Sequence, residues 1–178
     1  MERDSHARLD RLANLLGVTA LAATDRLREA VEAELSHGGS APAALVHLQA
    51  WPGEPVEALR RVLGISQPAT VRVVDRLAAE GLLERRAGPD RRSLALHLTP
   101  AGERAATELL ARRAAALEEL LRALSAEQQA ALEPLLERLT AVLAADRAGA
   151  LRVCRLCDRG SCTRDPGCPL EHTTLPAA

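Results

Sequence analysis

The chain has no lysine, no phenylalanine and no tyrosine among its 178 residues, and it has a single tryptophan. Without large aromatic side chains the core has to consist mainly of Leu, Val and Ala, which is typical of helices that pack closely through small side chains. The 23 basic residues are all arginines. Arginine pairs with phosphate and guanine through two hydrogen bonds, but GC-rich coding gives the same bias, and we ascribe most of the bias to coding.

Long apolar runs and early cysteines are also lacking. The N-terminal segment MERDSHARLD is charged, and no run of membrane-spanning length follows it. We therefore expect neither secretion nor a transmembrane helix, but a cytoplasmic protein with no membrane partner.

Cysteine is absent from the first 153 residues and then occurs four times. Because the cytosol is reducing, we expect thiolates or metal ligands rather than disulfides.

The charge is uneven along the chain. The net charge is only −1 at pH 7, which argues against a protein that coats nucleic acid over its whole surface. Between Arg60 and Arg92, however, eight arginines stand against four acidic residues, and the remainder of the chain is acidic. A locally basic segment in an acidic protein indicates one face that binds an anion.

Apolar periodicity and capping residues predict a mainly helical chain. A first helix, from Ser5 as N-cap to about Leu35, has Leu9, Leu12 and Leu16 at helical spacing. Its apolar side needs a partner. The further helices are predicted at about Pro42–Ala50, Pro55–Leu63, Ser66–Glu80, Thr99–Leu124 and Ser125–Gly149, the third with Ser66 as N-cap and the last with a capping box.

Turn chemistry indicates a helix-turn-helix followed by a β-hairpin. The tight turn Leu63–Ser66 joins two short helices, and Gly81 is the expected C′ residue of the second. Leu82–Arg86 and Ser93–Thr99 are predicted as strands, joined by the turn AGPDRR. The predicted fold class is therefore mainly α with a small β-hairpin wing.

A helix-turn-helix with a wing is an arrangement that binds double-stranded DNA, because a helix fits the major groove and a hairpin tip reaches the neighbouring minor groove. The second helix opens with residues whose backbone N–H groups can meet phosphate, and Arg72 and Arg76 lie one turn apart. At the wing tip, Asp90 is expected to hold one arginine while the other enters the groove. The candidate DNA-binding residues are Ser66, Gln67, Pro68, Thr70, Val71, Arg72, Arg76, Arg91 and Arg92.

The segment from Ile65 to Glu103, ISQPATVRVVDRLAAEGLLERRAGPDRRSLALHLTPAGE, resembles the MarR family of bacterial transcription regulators. The likeness extends from about Ala43 to Leu143. The residues that carry it are Asp75-Arg76-Leu77, Glu80-Gly81-Leu82, Arg85, Asp90-Arg91-Arg92 and Leu98-Thr99-Pro100-Ala101-Gly102. The resemblance implies a homodimeric winged helix-turn-helix protein, usually a repressor, that binds a pseudo-palindromic operator and is released by a small-molecule or redox effector.

The resemblance also implies a division of the chain. Residues 1–38 and 99–150 would form a helical dimerisation domain and residues 40–98 the winged helix-turn-helix DNA-binding domain. Beyond the likeness, the cysteines predict a cysteine-rich metal-binding tail over residues 151–178. His47 and Trp51 are candidates to line an effector pocket between the first two parts.

The candidate recognition helix departs from the family pattern at Thr70-Val71, where members often have an apolar residue followed by a hydroxyl one. Its buried stripe is predicted to be Thr70, Val73, Val74 and Leu77. Val71 would then face the groove, where it can contact a thymine methyl group.

The four cysteines have the spacing C-x2-C-x4-C-x5-C. A C-x-x-C pair places two thiolates on one metal ion, and two more complete a tetrahedron, so zinc is the predicted cofactor, either to order the tail or to sense. An iron–sulfur cluster is the alternative, since Cys168-Pro169 is similar to cluster-binding segments although the spacing differs from the bacterial ferredoxin run. The candidate metal ligands are Cys154, Cys157, Cys162 and Cys168, with His172 as a spare.

A disulfide switch of the bare thiols is a third interpretation of the tail. In each case the tail is expected to be an accessory, which acts, if it senses, by changing how two DNA-binding modules are held apart.

A dithiol redox enzyme is a remote alternative, because C-x-x-C is also a redox motif. That motif is expected within a βαβ unit, which the sequence does not predict. A protein-binding scaffold with an incidental basic face is a third class. We therefore predict a DNA-binding regulator and not an enzyme.

Overall fold

The computed structural model describes residues 2–32, 39–88, 94–164 and 167–170, and it is mainly helical with a two-stranded sheet, as predicted. Its elements are α1 (Glu2–Glu32), α2 (Ala41–Ala50), α3 (Val56–Leu63), α4 (Gln67–Ala79), β1 (Leu83–Ala87), β2 (Leu94–Leu98), α5 (Pro100–Leu121), α6 (Ala126–Ala141), α7 (Arg147–Val153) and α8 (Arg159–Cys162). None of the helices in these described ranges combines the length and the apolar character needed to cross a membrane.

The hydrophobic core of the helix-turn-helix module is organised around α2. All residues from Ala41 to Leu48 are buried, because α3, α4, α5 and β2 pack against this short helix. The core contains no phenylalanine or tyrosine, as the composition requires. Its largest fully buried side chains are Leu45, Leu48, Leu59, Val74, Leu77, Leu96 and Leu109.

The two strands of the wing are attached to the loop between α2 and α3. β1 and β2 pair antiparallel, with Leu83 opposite Leu98. The Gly53 N–H donates to the Leu96 carbonyl oxygen at 2.8 Å, and the Leu96 N–H donates to the Glu54 carbonyl oxygen at 3.0 Å. The base of the wing is therefore hydrogen-bonded to the helix-turn-helix.

The first turn of α5 packs against the residues that directly follow α4. The Thr99 hydroxyl donates to the Gly81 carbonyl oxygen at 2.6 Å and accepts a hydrogen bond from the Gly102 N–H at 3.1 Å. A Cβ atom on Gly102 would lie 2.0 Å from the Leu82 carbonyl oxygen. This close approach explains why a glycine follows the Thr-Pro cap at this point of the sequence.

One of the predicted N-caps needs correction. The capping box at Ser125 is confirmed, because its hydroxyl accepts from the Gln128 N–H and the Gln128 side chain accepts from the Ser125 N–H. The prediction for Ser5 is wrong, since α1 begins at Glu2 and Ser5 lies inside the helix. Ser66 stands at the N-cap of α4, but its hydroxyl makes no capping hydrogen bond.

The last long helix is shorter than predicted. α6 continues past Pro134 and ends at Ala141, whereas the sequence predicts a helix to Gly149. A separate helix, α7, forms instead, because the Asp146 carboxylate caps it by accepting a hydrogen bond from the Gly149 N–H at 2.7 Å.

Helices α1 and α6 carry apolar side chains that this chain leaves uncovered. α1 packs against α5, and Val31 near its end is only 5% exposed. No residue of α6 is buried. The uncovered side chains are Leu9, Leu12, Leu15, Leu16, Val18 and Leu21 on α1, and Leu135, Leu136 and Leu139 on α6, each 45% exposed or more.

Candidate nucleic-acid interface and thiol cluster

Helix α4 has one buried side and one exposed side. Thr70, Val74 and Leu77 are at most 1% exposed, and Val73 is half-buried. The predicted buried stripe is therefore confirmed. Val71 is 37% exposed, as predicted for a residue on the outer side of the helix.

Thr70 has to be removed from the predicted DNA contacts. Its side chain is fully buried, and its hydroxyl donates to the Ser66 carbonyl oxygen at 3.1 Å. Because its hydrogen bond is made within the helix and its surface is covered, Thr70 cannot touch a duplex directly.

The other candidates on α4 share its exposed side. Arg72 and Arg76 are exposed one turn apart. At the start of the helix, the first backbone N–H groups lack intrahelical acceptors and point outward among exposed side chains. These exposed residues are Ser66, Gln67 and Pro68.

An ion pair fastens α4 to the first strand of the wing. Arg85 on β1 pairs with Asp75 on α4, and Arg86 pairs with Glu84 within its own strand. Sequence reasoning assigns Arg85 no role beyond the family likeness, because its partner lies on a different element. In the structure Arg85 links β1 to α4.

The tip of the wing lies outside the described residues. Asp90, predicted as wing support, and Arg91 and Arg92, predicted as minor-groove contacts, therefore stay predictions. The strands that lead to them, Leu83–Ala87 and Leu94–Leu98, are formed within a residue of the predicted bounds.

The four cysteines of the tail come together in a cluster, here called the thiol cluster. Their side chains contact each other in succession, Cys154 with Cys157, Cys157 with Cys162, and Cys162 with Cys168. The Cys157 N–H donates to the Cys154 carbonyl oxygen at 2.8 Å, which closes the tight turn of C-x-x-C. All four are free, half-buried thiols.

Contacts and burial separate the acidities of these thiols. The hydrogen bond from Cys157 lowers the pKa of Cys154, and the same contact, together with burial, raises the pKa of Cys157. Burial is the main cause that raises the pKa of Cys162 and of Cys168. Because metal ions bind the thiolate form, a metal ion that binds here has to displace the thiol protons.

One side of the thiol cluster faces α2 across a small cavity. The cavity, of about 50 Å³, is lined by the four cysteines together with His47 and Trp51. His47 is 5% exposed, and its Nε2 lies 2.6 Å from Glu54 Oε2. The Arg159 guanidinium lies over the Trp51 ring, 4.4 Å from the ring centroid. One cavity is therefore lined both by the two residues predicted for an effector pocket and by the four predicted metal ligands.

The other side of the thiol cluster opens towards the long helices. A groove of about 790 Å³ is lined by the four cysteines, by Arg113 and Leu121 of α5, and by Leu136 and Glu137 of α6. The thiol cluster thus lies between the helix-turn-helix module and the helices with uncovered apolar sides.

The tail packs onto the helix-turn-helix module, although it lies far from that module in sequence. α7 lies against α3, and the Arg152 side chain is so near Gly64 that a Cβ there would be 2.9 Å from Arg152 Nε. Ala150 and Leu170 are fully buried, and Leu156 packs against the main core. In the sequence, this packing is indicated only by single apolar residues that stand before, between and after the cysteines.

The thiols are not drawn together as a finished metal site. Among the described residues, no group of three or more His, Cys, Asp or Glu side chains has the arrangement of a metal-ligand set. The sulfur atoms contact each other in successive pairs. His172, the spare candidate ligand, lies outside the described residues.

The chain is similar to a solved structure of a Mycobacterium tuberculosis MarR family protein, RV2887, in complex with salicylic acid. The two are 30% identical over 70% of this chain and 95% of that one, with a TM-score of 0.53. The chain belongs to the MarR family. The MarR family model itself matches residues 40–93, from just before α2 to the start of β2.

Two further MarR structures resemble this chain at 25% identity. A MarR family protein from Bacillus stearothermophilus matches 75% of this chain and 94% of its own, with a TM-score of 0.66. Wild-type MarR from E. coli, in its apo form, matches 72% of this chain and 96% of its own, with a TM-score of 0.60. No curated protein sequence matches the chain significantly. The MarR family model ends before the first cysteine, so the thiol cluster has no counterpart in it.

Proposed function

We propose that this MarR family protein is a transcription repressor that binds, as a homodimer, a pseudo-palindromic operator in double-stranded DNA. The observation that carries the proposal is the two-sided character of α4. Its apolar stripe is fixed in the core, while Val71, Arg72 and Arg76 are exposed together on the outer side. The activity is therefore binding rather than catalysis.

The exposed side of α4 has the chemistry needed to read bases. The major groove of B-DNA, about 12 Å wide, admits an α-helix. Arg72 and Arg76 can each donate two hydrogen bonds to guanine or neutralise a phosphate, and Val71 can contact a thymine methyl group. The exposed start of the helix adds free N–H groups and the positive end of the helix dipole, both of which favour phosphate.

The wing supplies the second contact in this proposal. Its strands are tied to α4 by the Asp75–Arg85 ion pair and to the α2–α3 loop by backbone hydrogen bonds. We propose that Arg91 and Arg92 at its tip reach the neighbouring minor groove and that Asp90 holds one of them.

A second copy of the chain is the proposed cover for α1 and α6. Exposed leucines along both helices give the monomer a large apolar face, which marks an interaction surface. To meet successive major grooves on one side of DNA, the two recognition helices of a twofold dimer have to lie about 34–36 Å apart. This pairing matches the pseudo-palindromic operator that we propose.

The experiment is a titration of the dimer with the promoter DNA of its own gene cluster, by fluorescence anisotropy at several salt concentrations. Arg76→Ala is expected to cost about 1–3 kcal/mol if Arg76 reads a base, or mainly to flatten the salt dependence if it touches phosphate. Arg92→Ala is expected to behave in the same way. Arg122→Ala is the control, because Arg122 is exposed just beyond the far end of α5.

Unchanged affinity and salt slope in both Arg76→Ala and Arg92→Ala would contradict the assignment of α4 and the wing to DNA. Binding without any preference for the promoter over unrelated DNA would favour a scaffold whose basic face is incidental.

We also propose that the thiol cluster binds one Zn²⁺ ion per chain through Cys154, Cys157, Cys162 and Cys168. Four thiolates suit tetrahedral zinc, and the cluster gathers four thiols around turns that have little core of their own. The adjoining cavity of about 50 Å³ can accept an ion but not an aromatic effector, because even a benzene ring occupies a cavity of roughly 150 Å³.

The metal is identified by the absorption spectrum of protein purified without oxygen, with metal and acid-labile sulfide counted in the same sample. We expect a colourless protein with about one zinc per chain. A brown protein with iron and sulfide would replace zinc by an iron–sulfur cluster. A metal-free protein whose thiols oxidise to disulfides would leave the redox switch as the explanation of the tail.

A further inference from the structure

We propose that the thiol cluster is the sensory site of this regulator, and that Zn²⁺ bound there strengthens operator binding. The inference rests on the proposed DNA binding and zinc binding, and it adds that the two are coupled. The physical basis is a tail that touches the DNA-binding module at two functional points.

The first point is the turn of the helix-turn-helix. Arg152 of α7 lies against Gly64, which has a left-handed backbone with φ of 65°. Gly64 stands two residues before Ser66, the N-cap of the recognition helix. A shift of α7 therefore acts directly on the segment that sets the direction of α4.

The second point is the loop that carries the wing. Arg159 of α8 lies over the Trp51 ring. Gly53, two residues after Trp51, donates a hydrogen bond from its N–H to the Leu96 carbonyl oxygen of β2. The buried His47 contacts Glu54 in the same loop. A shift of α8 therefore acts on the base of the wing.

The thiol cluster joins the two contacts. Cys154 directly follows α7, Cys162 ends α8, and Cys157 lies between these helices. One ion held by these thiols would fix α7 and α8 relative to each other, whereas the protonated thiols are joined only by weak S–H hydrogen bonds. The groove on the other side of the cluster is lined by α5 and α6, so the same ion would also restrain the module relative to the proposed dimer helices.

Restraint favours operator binding because two recognition helices must meet two half-sites at a fixed spacing. A metal-free dimer samples more arrangements of its modules and loses more conformational entropy on DNA. We expect zinc to raise operator affinity by a factor on the order of 5–150, and the operator to raise zinc affinity by the same factor, as linkage requires.

The test compares the full-length dimer, loaded with zinc or stripped by a chelator under reducing conditions, in titrations with its promoter DNA. Zinc per chain is counted in each sample. Arg152→Ala is the uncoupling variant and should keep one zinc per chain while the loaded-to-stripped affinity ratio falls towards one. Arg147→Ala is the matched control, an exposed arginine on the same helix, and should keep the wild-type ratio.

A wild-type ratio within twofold of one, with zinc and operator both bound, would overturn the inference and leave zinc a structural role. A protein that takes up no zinc, or one that ignores the promoter in both forms, would overturn it as well. The zinc count and the DNA titration show separately which underlying proposal has failed. A ratio that Arg147→Ala abolishes as fully as Arg152→Ala would overturn the assigned route through Gly64.

Discussion

Helices α2 and α6 are built from the same small set of apolar residues, yet they lie in opposite environments. The segment from Ala41 to Leu48 of α2 is buried throughout, whereas no residue of α6 is buried. α2 is surrounded by α3, α4, α5 and β2. α6 finds no comparable cover among the other described elements, and Val142 just beyond it is 78% exposed.

The pattern of apolar residues, more than their number, accounts for this difference. α2 is apolar on all sides, which is the character of a helix at the centre of a core. α6 has a one-sided stripe that includes Leu132, Leu135, Leu136 and Leu139, with charged residues between. Such a stripe needs cover from outside its own chain, so we expect α2 residues to stabilise the monomer and α6 residues to stabilise the dimer.

The largest expected effect is on the dimer. Leu135→Glu places a carboxylate on the α6 stripe of each copy, and an unpaired buried charge costs about 3–5 kcal/mol. The dimer dissociation constant should rise at least about 100-fold, with the helical content of the monomer retained. Molar mass measured by sedimentation over a range of concentrations, together with circular dichroism, checks both parts.

The matched control is Leu94→Glu. Leu94 on β2 is 54% exposed, against 56% for Leu135, but it lies on the wing. It should leave the dimer intact, and equal dissociation in the two variants would show that α6 is not the interface.

A smaller effect is expected inside the DNA-binding module. Gly102→Ala adds a Cβ that meets the Leu82 carbonyl oxygen at 2.0 Å. The backbone at the start of α5 has to move, which should lower the free energy of unfolding by about 1–3 kcal/mol. Urea denaturation of the dimer at fixed protein concentration measures the change.

Gly17→Ala is the companion to Gly102→Ala, because both glycines lie in helices. A Cβ at Gly17 meets nothing within 4 Å among the residues that the structure describes, so alanine should raise the free energy of unfolding by about 0.5–1 kcal/mol. A loss of stability at Gly17 would instead reveal a close contact between two copies at that point of α1. No loss at Gly102 would show that the first turn of α5 tolerates a shift.

Local patterns predicted most of the winged helix-turn-helix module. These patterns are glycine in the turn before α4 and after its end, proline at helix starts, and alternating leucines in β2. Each pattern depends only on residues that are neighbours in sequence. The buried stripe of α4 followed from its periodicity. That periodicity put Thr70 in the buried stripe, yet Thr70 was also predicted as a DNA contact, and its burial excludes that second role.

The position of the tail could not be predicted in this way. Arg152 meets Gly64, and Arg159 meets Trp51, although the partners are far apart in sequence. Such contacts depend on where α6 ends, and that end depends on Asp146 capping a new helix. Because the sequence predicts one helix up to Gly149 in place of α6 and α7, it does not show that the thiol cluster adjoins the predicted effector residues.

The smallest effect is expected for the exposed ion pair between β1 and α4. Arg85 and Asp75 are 32% and 58% exposed and join β1 to α4. Arg85→Gln should lower the free energy of unfolding by about 1 kcal/mol or less, since exposed ion pairs are screened by water. The difference from wild type should shrink towards zero in 1 M salt, where charges are screened within about 3 Å. A salt-independent loss larger than that of Gly102→Ala would mean that packing of the Arg85 stem, and not its charge, holds the recognition helix against the wing.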